Sequence, residues 1–407
     1  MAAGFSKTRL DRIAPFMAAR HVEPGFIPGA MTLVWRRGEV AHFSMTGSID
    51  LARGTAMRED AIFRIYSMTK PVTSVALLML VEAGQVALDD PVARFIPAFA
   101  NLGVYVDGGE GAFGTSLPSR PMQVVDLLRH TSGFTYGFMN RTPVDAVYRK
   151  QGISDPATEG GLPAMIAALE KLPLEFSPGE KWNYSVSTDV AGFLVEVISG
   201  QRFADFVRAR ILGPLRMDDT DFFVPQDKRH RFAACYAVRN DKMELFDDSQ
   251  KTMFGAPPKL ESGGGGLVGT AQDYLRFCRM LLNKGELDGA RLLSPKTVEL
   301  MTMNHLPGGK FITQMMPSGG AFSETNYRGV GFGLGVSVTQ DVAATGIPGS
   351  VGEFAWGGMA STAFFVDPKE DMAVVFMTQS LDTQDRRVRL RRDLRTLVYS
   401  AITESLA

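Results

Sequence analysis

The sequence predicts an α+β fold: an antiparallel sheet built from both chain ends and flanked by terminal helices, plus a large, mostly helical insertion. One observation is a pair of alternating apolar segments, residues 30–36 and 40–47, joined by a turn at residues 37–39 that predicts a hairpin. Another is a second strand-rich region near the C-terminus. The other predicted elements around the sheet are a helix at 7–19, strands at 331–339, 353–356, 361–366 and 372–377, and a last helix at 385–403.

Helical patches dominate the residues between these two regions, and loops rich in proline and glycine break them. We therefore expect a discontinuous sheet domain over residues 1–84 and 255–407, a mainly helical domain over residues 85–254, and an active site between the two. The stretch 103–120 has the composition of a loop. Helices within the insertion are predicted at 123–129, 162–172, 189–199 and 203–211.

Composition and charge exclude several classes of protein. Of the 407 residues, 45% are hydrophobic and 21% are charged, and the net charge of −1 argues against nucleic acid or an anionic membrane as a partner. Cys235 and Cys278 are the only cysteines, too few for a disulfide framework, which favours a reducing compartment. The sequence shows neither an apolar signal segment nor a run long enough to span a bilayer, so we expect a cytoplasmic protein that acts on a small molecule. The oligomeric state stays open.

The stretch from Phe63 to Val72 carries the strongest chemical signal. An extended run ends at Tyr66, and a helical pattern starts at Ser67, which places Lys70 one turn later on the same face. An amine in that position can take the proton of a serine hydroxyl and make it a nucleophile, and the helix N-terminus favours the developing oxyanion. The alternative is an N-cap serine followed by a solvated lysine, because about one S-x-x-K is expected by chance in a chain of this length.

Three further features bear on catalysis. Tyr184, in a turn before a predicted helix, is either a packed tyrosine or a phenol that shuttles protons beside the lysine. The pair Gly357–Gly358 permits close backbone approach, as an oxyanion hole needs, although by itself the pair favours a plain β-turn. The glycine run 263–266 lacks the lysine of a phosphate loop and indicates a close-packed turn. The five histidines are scattered, so we expect no metal site, and no G-x-S-x-G motif is present.

Together these motifs resemble the serine β-lactamase-like superfamily from about residue 10 to residue 400. The chain is most similar to the family VIII carboxylesterases, relatives of class C β-lactamases and D-alanyl-D-alanine carboxypeptidases. The resemblance rests on the order and spacing of five motifs, which are Ser67-Met-Thr-Lys70, His130-Thr-Ser-Gly133, Tyr184-Ser185, the run from Ser262 to Gly266, and Trp356-Gly-Gly358.

The resemblance implies a role for each matching residue and no cofactor. Ser67 would be acylated, Lys70 and Tyr184 would share general base and acid duty, and the N–H groups of Ser67 and Met359 would form the oxyanion hole. Trp356 stands where a lactamase has the lysine that meets the substrate carboxylate, and Val186 stands where a lactamase has an amide. The expected substrate-binding residues are Trp356, Gly357, Gly358, Tyr136 and Val186.

The loss of these two polar groups favours neutral esters over penicillins and cephalosporins. We therefore predict a serine carboxylesterase that hydrolyses small to medium esters through an acyl-enzyme, with β-lactam hydrolysis at most a weak side activity. The alternatives within the enzyme class are a β-lactamase, an amide hydrolase, and an acyltransferase that uses the same acyl-enzyme. From another class, a non-catalytic ligand sensor on the same fold stays open.

Overall fold

An antiparallel sheet of eight strands within the described residues draws its strands from both ends of the chain. The computed structural model describes residues 2–318 and 328–406. Its strands are β1 Gly29–Arg36, β2 Glu39–Asp50, β3 Thr55–Ala56, β4 Phe63–Arg64, β5 Val104–Gly109, β6 Ala112–Ser116, β7 Cys235–Arg239, β8 Lys242–Asp247, β9 Val268–Gly269, β10 Glu286–Leu287, β11 Ala290–Arg291, β12 Val330–Phe332, β13 Ser337–Thr339, β14 Phe354–Gly357, β15 Ala363–Asp367, β16 Met372–Met377 and β17 Ser380–Leu381.

Most of the helices lie between β4 and β12, and the rest pack at the chain ends or follow β13. The helices are α1 Lys7–Leu10, α2 Ile13–Met17, α3 Thr69–Glu82, α4 Val124–Leu128, α5 Pro143–Gln151, α6 Gly161–Leu169, α7 Ser187–Ser199, α8 Phe203–Val207, α9 Ala271–Leu282, α10 Pro295–Met301, α11 Ile312–Met315, α12 Val342–Thr345 and α13 Gln384–Ser400. None of the described helices is long and apolar enough to cross a bilayer.

The main sheet has the order β12-β13-β14-β15-β16-β1-β2-β3, so the two chain ends meet at the β16–β1 pair. Thr32 lies opposite Phe376 in that antiparallel pair. Every residue of β1 is buried, as expected for a strand that is covered on both faces. The predicted α+β class, with an antiparallel sheet from both ends, is confirmed.

Alternate side chains of the sheet enter two different hydrophobic cores because successive residues of a strand point to opposite faces. On one face Leu33 and Val375 pack in the large core that also contains α3 and α9. On the other face Val34 and Val374 pack against the terminal helices, including Leu394 of α13. The helix α13 is therefore held directly against the back of the sheet, close to the β14–β15 hairpin.

Several elements differ from the sequence prediction. The stretch 103–120, predicted to be a loop, contains the β5–β6 hairpin, in which the rings of Tyr105 and Phe113 pack edge to face at 5.9 Å. Its strands are largely exposed, so no apolar alternation marks them in the sequence. A second hairpin, β7–β8, also lies within the segment predicted to be mostly helical. The single strand predicted at 331–339 is two short strands, β12 and β13, which pair with each other.

Candidate active site

A strained turn between β4 and α3 presents Ser67. The strand β4 pairs with β9, and the Ile65 N–H donates to the Leu267 carbonyl, so the chain is held up to the turn. Tyr66 then adopts a φ of 43°, a left-handed conformation that costs free energy for a tyrosine. A 3₁₀ turn over Tyr66–Met68 follows and leads directly into α3. Ser67 thus lies at the helix N-terminus, with its side chain at a cavity wall.

Lys70 reaches back over one helical turn to Ser67. Its Nζ atom lies 3.3 Å from Ser67 Oγ and donates a hydrogen bond of 2.6 Å to the Gly264 carbonyl. The side chain is 1% exposed, so the amine is almost completely withdrawn from water. The solvated lysine that the sequence left open as an alternative is therefore not what the structure contains.

The glycine run 263–266 packs against α3 and supplies the acceptor for Lys70. Thr73 donates its hydroxyl to the Gly263 carbonyl at 2.7 Å, and the Leu267 N–H donates to the Thr69 hydroxyl at 3.1 Å. A Cβ atom on Gly264 would lie 2.6 Å from Asp189 Oδ2 and 2.8 Å from the Tyr136 hydroxyl, so no side chain fits there. The run is a close-packed turn, as its composition indicates.

Asp189 is a residue of the site that sequence reasoning missed. It lies in the first turn of α7 and is fully buried. Its Oδ1 atom accepts hydrogen bonds from Ser262 Oγ at 2.5 Å and from the Gly264 N–H at 3.0 Å, which holds the backbone of Gly264, the residue whose carbonyl accepts from Lys70. Burial raises the pKa of Asp189, and the Ser262 hydroxyl and the charge of Lys70 oppose that rise. One aspartate at the start of a helix gives no signal of this kind in a sequence.

The raised pKa of Asp189 predicts a particular pH dependence of stability. Because the native state holds the Asp189 proton more tightly than the unfolded chain, the wild-type protein loses stability as pH rises through the native pKa. The amide of Asp189→Asn cannot titrate. The urea midpoint of this variant relative to wild type should therefore rise as pH increases from about 4, which is the pKa of an aspartate in the unfolded chain. Urea unfolding between pH 4 and pH 8 measures this difference.

Asp126 provides the matched control, because it is also buried but has the opposite shift. Burial raises its pKa, but the Arg120 ion pair and the bonds from Gln123 and Thr131 outweigh burial and lower it. Asp126 adds stability as pH rises from its lowered native pKa to the unfolded pKa near 4, so the midpoint of Asp126→Asn relative to wild type should fall only up to about pH 5 and then stay constant to pH 8. A flat or falling difference for Asp189→Asn would contradict the assignment of a raised pKa to Asp189.

Tyr184 packs beside the lysine and is 1% exposed. Lys70 Nζ lies 4.4 Å from the centre of the Tyr184 ring. The indole Nε1–H of Trp356 donates to the Tyr184 hydroxyl at 3.3 Å, and a donor in that position stabilises negative charge on the phenol oxygen. The tyrosine and lysine are thus adjacent in a water-poor environment, where charge on one strongly affects charge on the other.

The buried imidazole ring of His130 packs against the ring of Tyr184. The two ring centres are 4.8 Å apart, and the imidazole Nδ1 lies 3.3 Å from Ser185 Oγ. Burial lowers the pKa of His130 well below its usual value, and the charge of Lys70 lowers it further. The ring is therefore neutral at pH 7, and it acts as packing for the tyrosine rather than as a charged group.

Two backbone N–H groups are the expected donors of an oxyanion hole. They belong to Ser67 and to Met359, and both residues line the same cavity. Within the described residues, neither N–H group donates a hydrogen bond to another protein atom. Donors that are already in place and unused can stabilise charge that develops on a substrate oxygen without a cost of reorganisation.

The cavity in front of Ser67 has a volume of about 490 Å³ and is mainly apolar. Tyr136 stacks on Phe138 at its wall, with ring centres 4.8 Å apart. Phe138, Phe246 and Met253 also remain substantially exposed, at 46%, 51% and 59%. The polar end of the wall carries Asp382 and Arg387. The other apolar lining residues are Tyr66, Pro156, Tyr184, Phe254, Met359 and Leu381.

The structure brings only one of the five expected substrate-binding residues, Tyr136, to the cavity wall. Trp356 is 3% exposed and contacts Tyr184 with its indole nitrogen instead of facing the cavity. Val186 is fully buried at the start of α7, where its N–H donates to the Thr135 carbonyl. Gly357 and Gly358 are covered by the side chain of Arg391 and by the backbone around Ile65. These four residues support the site from outside the cavity.

The fold and the site define the class of this protein. An antiparallel sheet from both chain ends, with a serine and a lysine one helical turn apart, is the architecture of the serine β-lactamase-like superfamily, and the predicted resemblance is confirmed. The chain belongs to the Beta-lactamase family, whose model matches residues 13–398.

Two relatives and one solved structure are similar over nearly the whole chain. Protein Rv1367c of Mycobacterium tuberculosis is 36% identical over 360 residues, which are 88% of this chain and 87% of that protein. Esterase EstB of Burkholderia gladioli is 33% identical over 374 residues, 86% of either chain. EstCE1, a hydrolase with promiscuous acyltransferase activity, matches with a TM-score of 0.79 and 25% identity over 96% of this chain and 99% of its own.

Proposed function

We propose that the protein is a serine carboxylesterase that forms an acyl-enzyme on Ser67. The observation that carries the proposal is the 3.3 Å approach of the buried Lys70 amine to Ser67 Oγ, at the wall of a largely apolar cavity. The similarity to an esterase and to a hydrolase with acyltransferase activity supports the same class of chemistry. The buried free thiols of Cys235 and Cys278 agree with the cytoplasmic location that is part of the proposal.

The proposed reaction has two halves. Ser67 Oγ attacks the ester carbonyl while the Lys70–Tyr184 pair accepts the serine proton, and the N–H groups of Ser67 and Met359 hold the oxyanion. Tyr184, or Lys70 through it, then protonates the leaving alkoxide and frees the alcohol. Water attacks the acyl-enzyme in the second half with the same groups, and carboxylic acid leaves. No metal or cofactor takes part in any of these steps.

Neutral esters should be much better substrates than β-lactams. Trp356 carries no charge. Arg387 is the one cation among the described residues that line the cavity, and it donates its Nη1–H to the Met359 carbonyl at 3.0 Å and faces Asp382. A β-lactam carboxylate would therefore gain no new ion pair, which we expect to cost about 10- to 100-fold in kcat/KM relative to p-nitrophenyl butyrate. Equal or better turnover of benzylpenicillin would overturn the assignment to ester chemistry.

The measurement is a panel of p-nitrophenyl esters of graded chain length, with nitrocefin and benzylpenicillin included. Because the cavity wall is apolar, we expect medium acyl chains to be accepted as well as acetate. A single burst of p-nitrophenol equal to the enzyme concentration, with no further turnover, would instead indicate a ligand sensor on the same fold.

Acyl transfer to an alcohol is the second candidate function, and the promiscuous acyltransferase activity of EstCE1 favours it. The two functions differ only in whether water or an alcohol attacks the acyl-enzyme. The same assay, repeated with increasing concentrations of an alcohol, separates them. A transferase should convert most of the acyl groups to the new ester, whereas an esterase should release mainly free acid.

A further inference from the structure

The hairpin loop between β14 and β15 comprises residues 358–362, and nearly every backbone carbonyl in it accepts a hydrogen bond. The Gly358 N–H donates to the Thr362 carbonyl at 2.9 Å, and the Ser361 N–H donates to the Gly358 carbonyl at 3.0 Å. The Ala360 carbonyl accepts from the Ser380 N–H at 3.0 Å. The loop is therefore held rigidly, and it carries Met359, which lines the cavity.

Two arginines of α13, one helical turn apart, donate hydrogen bonds to carbonyls of the same loop. Arg391 Nη2 donates to the Gly358 carbonyl at 2.9 Å and to the Thr362 carbonyl at 2.8 Å. Arg387 Nη1 donates to the Met359 carbonyl at 3.0 Å. Arg391 is only 6% exposed, so its charge acts on the loop with little screening by water.

Gly357 makes this approach possible. A Cβ atom at Gly357 would overlap the Arg391 guanidinium, and a Cβ atom at Gly358 would overlap the Thr362 hydroxyl and the Ile65 carbonyl. The glycine pair therefore permits two close contacts of the hairpin. The first is the contact of the Arg391 guanidinium with Gly357. The second is the contact of Gly358 with the backbone of Ile65, which leads to Ser67.

The position of the Gly358 carbonyl gives Arg391 a chemical role. The Gly358 carbonyl and the Met359 N–H belong to one planar, conjugated peptide group. A charged donor on the oxygen draws electron density from the nitrogen and makes the N–H a stronger donor, because hydrogen bonds in a chain polarise one another. We infer that Arg391 is a positioning residue of the oxyanion hole, which aims and polarises the Met359 N–H. This inference rests on the proposed acyl-enzyme at Ser67.

The test compares Arg391→Met with Arg391→Lys and with a control on the same helix. Arg395→Met is the control, because Arg395 pairs at 2.6 Å with the carboxylate of Glu353, a residue outside the loop. The measurements are kcat and KM for p-nitrophenyl butyrate, the inhibition constant of n-butylboronic acid, and the thermal midpoint. A boronic acid forms a tetrahedral adduct with a nucleophilic serine, so its affinity reports on the oxyanion hole, whereas KM reports mainly on ground-state binding.

Arg391→Met should lower kcat/KM and boronate affinity by similar factors of about 10-fold or more, and its KM should stay within about 3-fold of wild type. Removal of an oxyanion donor lowers kcat by about 10²–10³, and here the Met359 N–H is weakened but not removed. Arg391→Lys, which keeps the charge and one donor, should fall between Arg391→Met and wild type. Arg395→Met should lower the thermal midpoint without changing the boronate affinity.

The inference is overturned if Arg391→Met binds the boronate as wild type does, or if Arg395→Met loses as much affinity. If Arg391→Met does not fold, Arg391→Lys decides alone: a parallel loss of kcat/KM and boronate affinity supports the role, and wild-type values for both overturn it. Failure of the proposed function has a different signature, because wild-type protein would then neither hydrolyse the ester nor bind the boronate at Ser67.

Discussion

Ser67→Ala should abolish ester turnover, with a loss in kcat on the order of 10⁵ or more, because no acyl-enzyme can form without the hydroxyl. The substitution should leave the fold intact. Ser67 Oγ lies 3.3 Å from Lys70 Nζ, and the lysine keeps its stronger bond of 2.6 Å to the Gly264 carbonyl. Initial rates with p-nitrophenyl butyrate and the thermal midpoint test both parts of this prediction.

A covalent probe locates the nucleophile independently of turnover. An organophosphonate should label wild-type protein once, and mass spectrometry should place the adduct on the peptide that contains Ser67. Ser154→Ala is the control, because Ser154 faces the same cavity but lies outside the α3 helix that carries the lysine. Its labelling should match wild type. An adduct on any serine other than Ser67 would contradict the proposed mechanism.

Tyr184→Phe should cost catalysis much more than stability, with a loss of roughly 10² to 10⁴ in kcat, the usual size of a general acid–base effect. The substitution removes the hydroxyl that accepts the Trp356 indole N–H and retains the ring against Lys70 and His130. Lys70→Ala should lose at least as much. Because the two groups are adjacent and buried, they should titrate as a coupled pair whose shared proton is the functional unit.

The double variant distinguishes a shared unit from two independent residues. If Lys70 and Tyr184 act as one unit, the double variant should lose little more than the worse single variant. Tyr148→Phe is the control for removal of a buried phenol, since Tyr148 is 1% exposed and lies in α5. Multiplicative losses, together with a Tyr184→Phe variant as active as Tyr148→Phe, would mean that Tyr184 is only a packed residue.

Local patterns in the sequence were sufficient for the central strands β1, β2, β14, β15 and β16 of the main sheet and for the Ser67–Lys70 pair. Those features depend on spacings of two to four residues. Side chains at these spacings lie on the same face of a strand or a helix, so the sequence alone shows which of them are neighbours. The β5–β6 hairpin was missed for the opposite reason. Its side chains are mostly exposed, so its pairing depends on main-chain hydrogen bonds and on one aromatic contact, which leave no apolar period.

The remainder of the site depends on contacts between residues that are far apart in the chain. Asp189 bonds to Ser262, and Arg391 bonds to Gly358, across separations that no local pattern encodes. Arg391 is also one of several arginines in a basic helix, so its type alone does not distinguish it. Trp356 was expected in the cavity because the resemblance gives the place of the residue in the chain but not the orientation of its side chain. The residue occupies the expected strand, and its side chain turns to Tyr184.

The pairing of β1 with β16 has a consequence for the order in which the protein can mature on the ribosome. Thr32 meets Phe376, about 340 residues later, which takes roughly 20–70 s at ordinary rates of translation. During that time the strand β1, which is fully buried in the finished fold, lacks its neighbour β16, and nascent chains already contain Ser67 and Lys70. The Met359 turn and the α13 arginines that hold it are synthesised after the nucleophile. Hydrolytic competence should therefore appear only when translation is nearly finished.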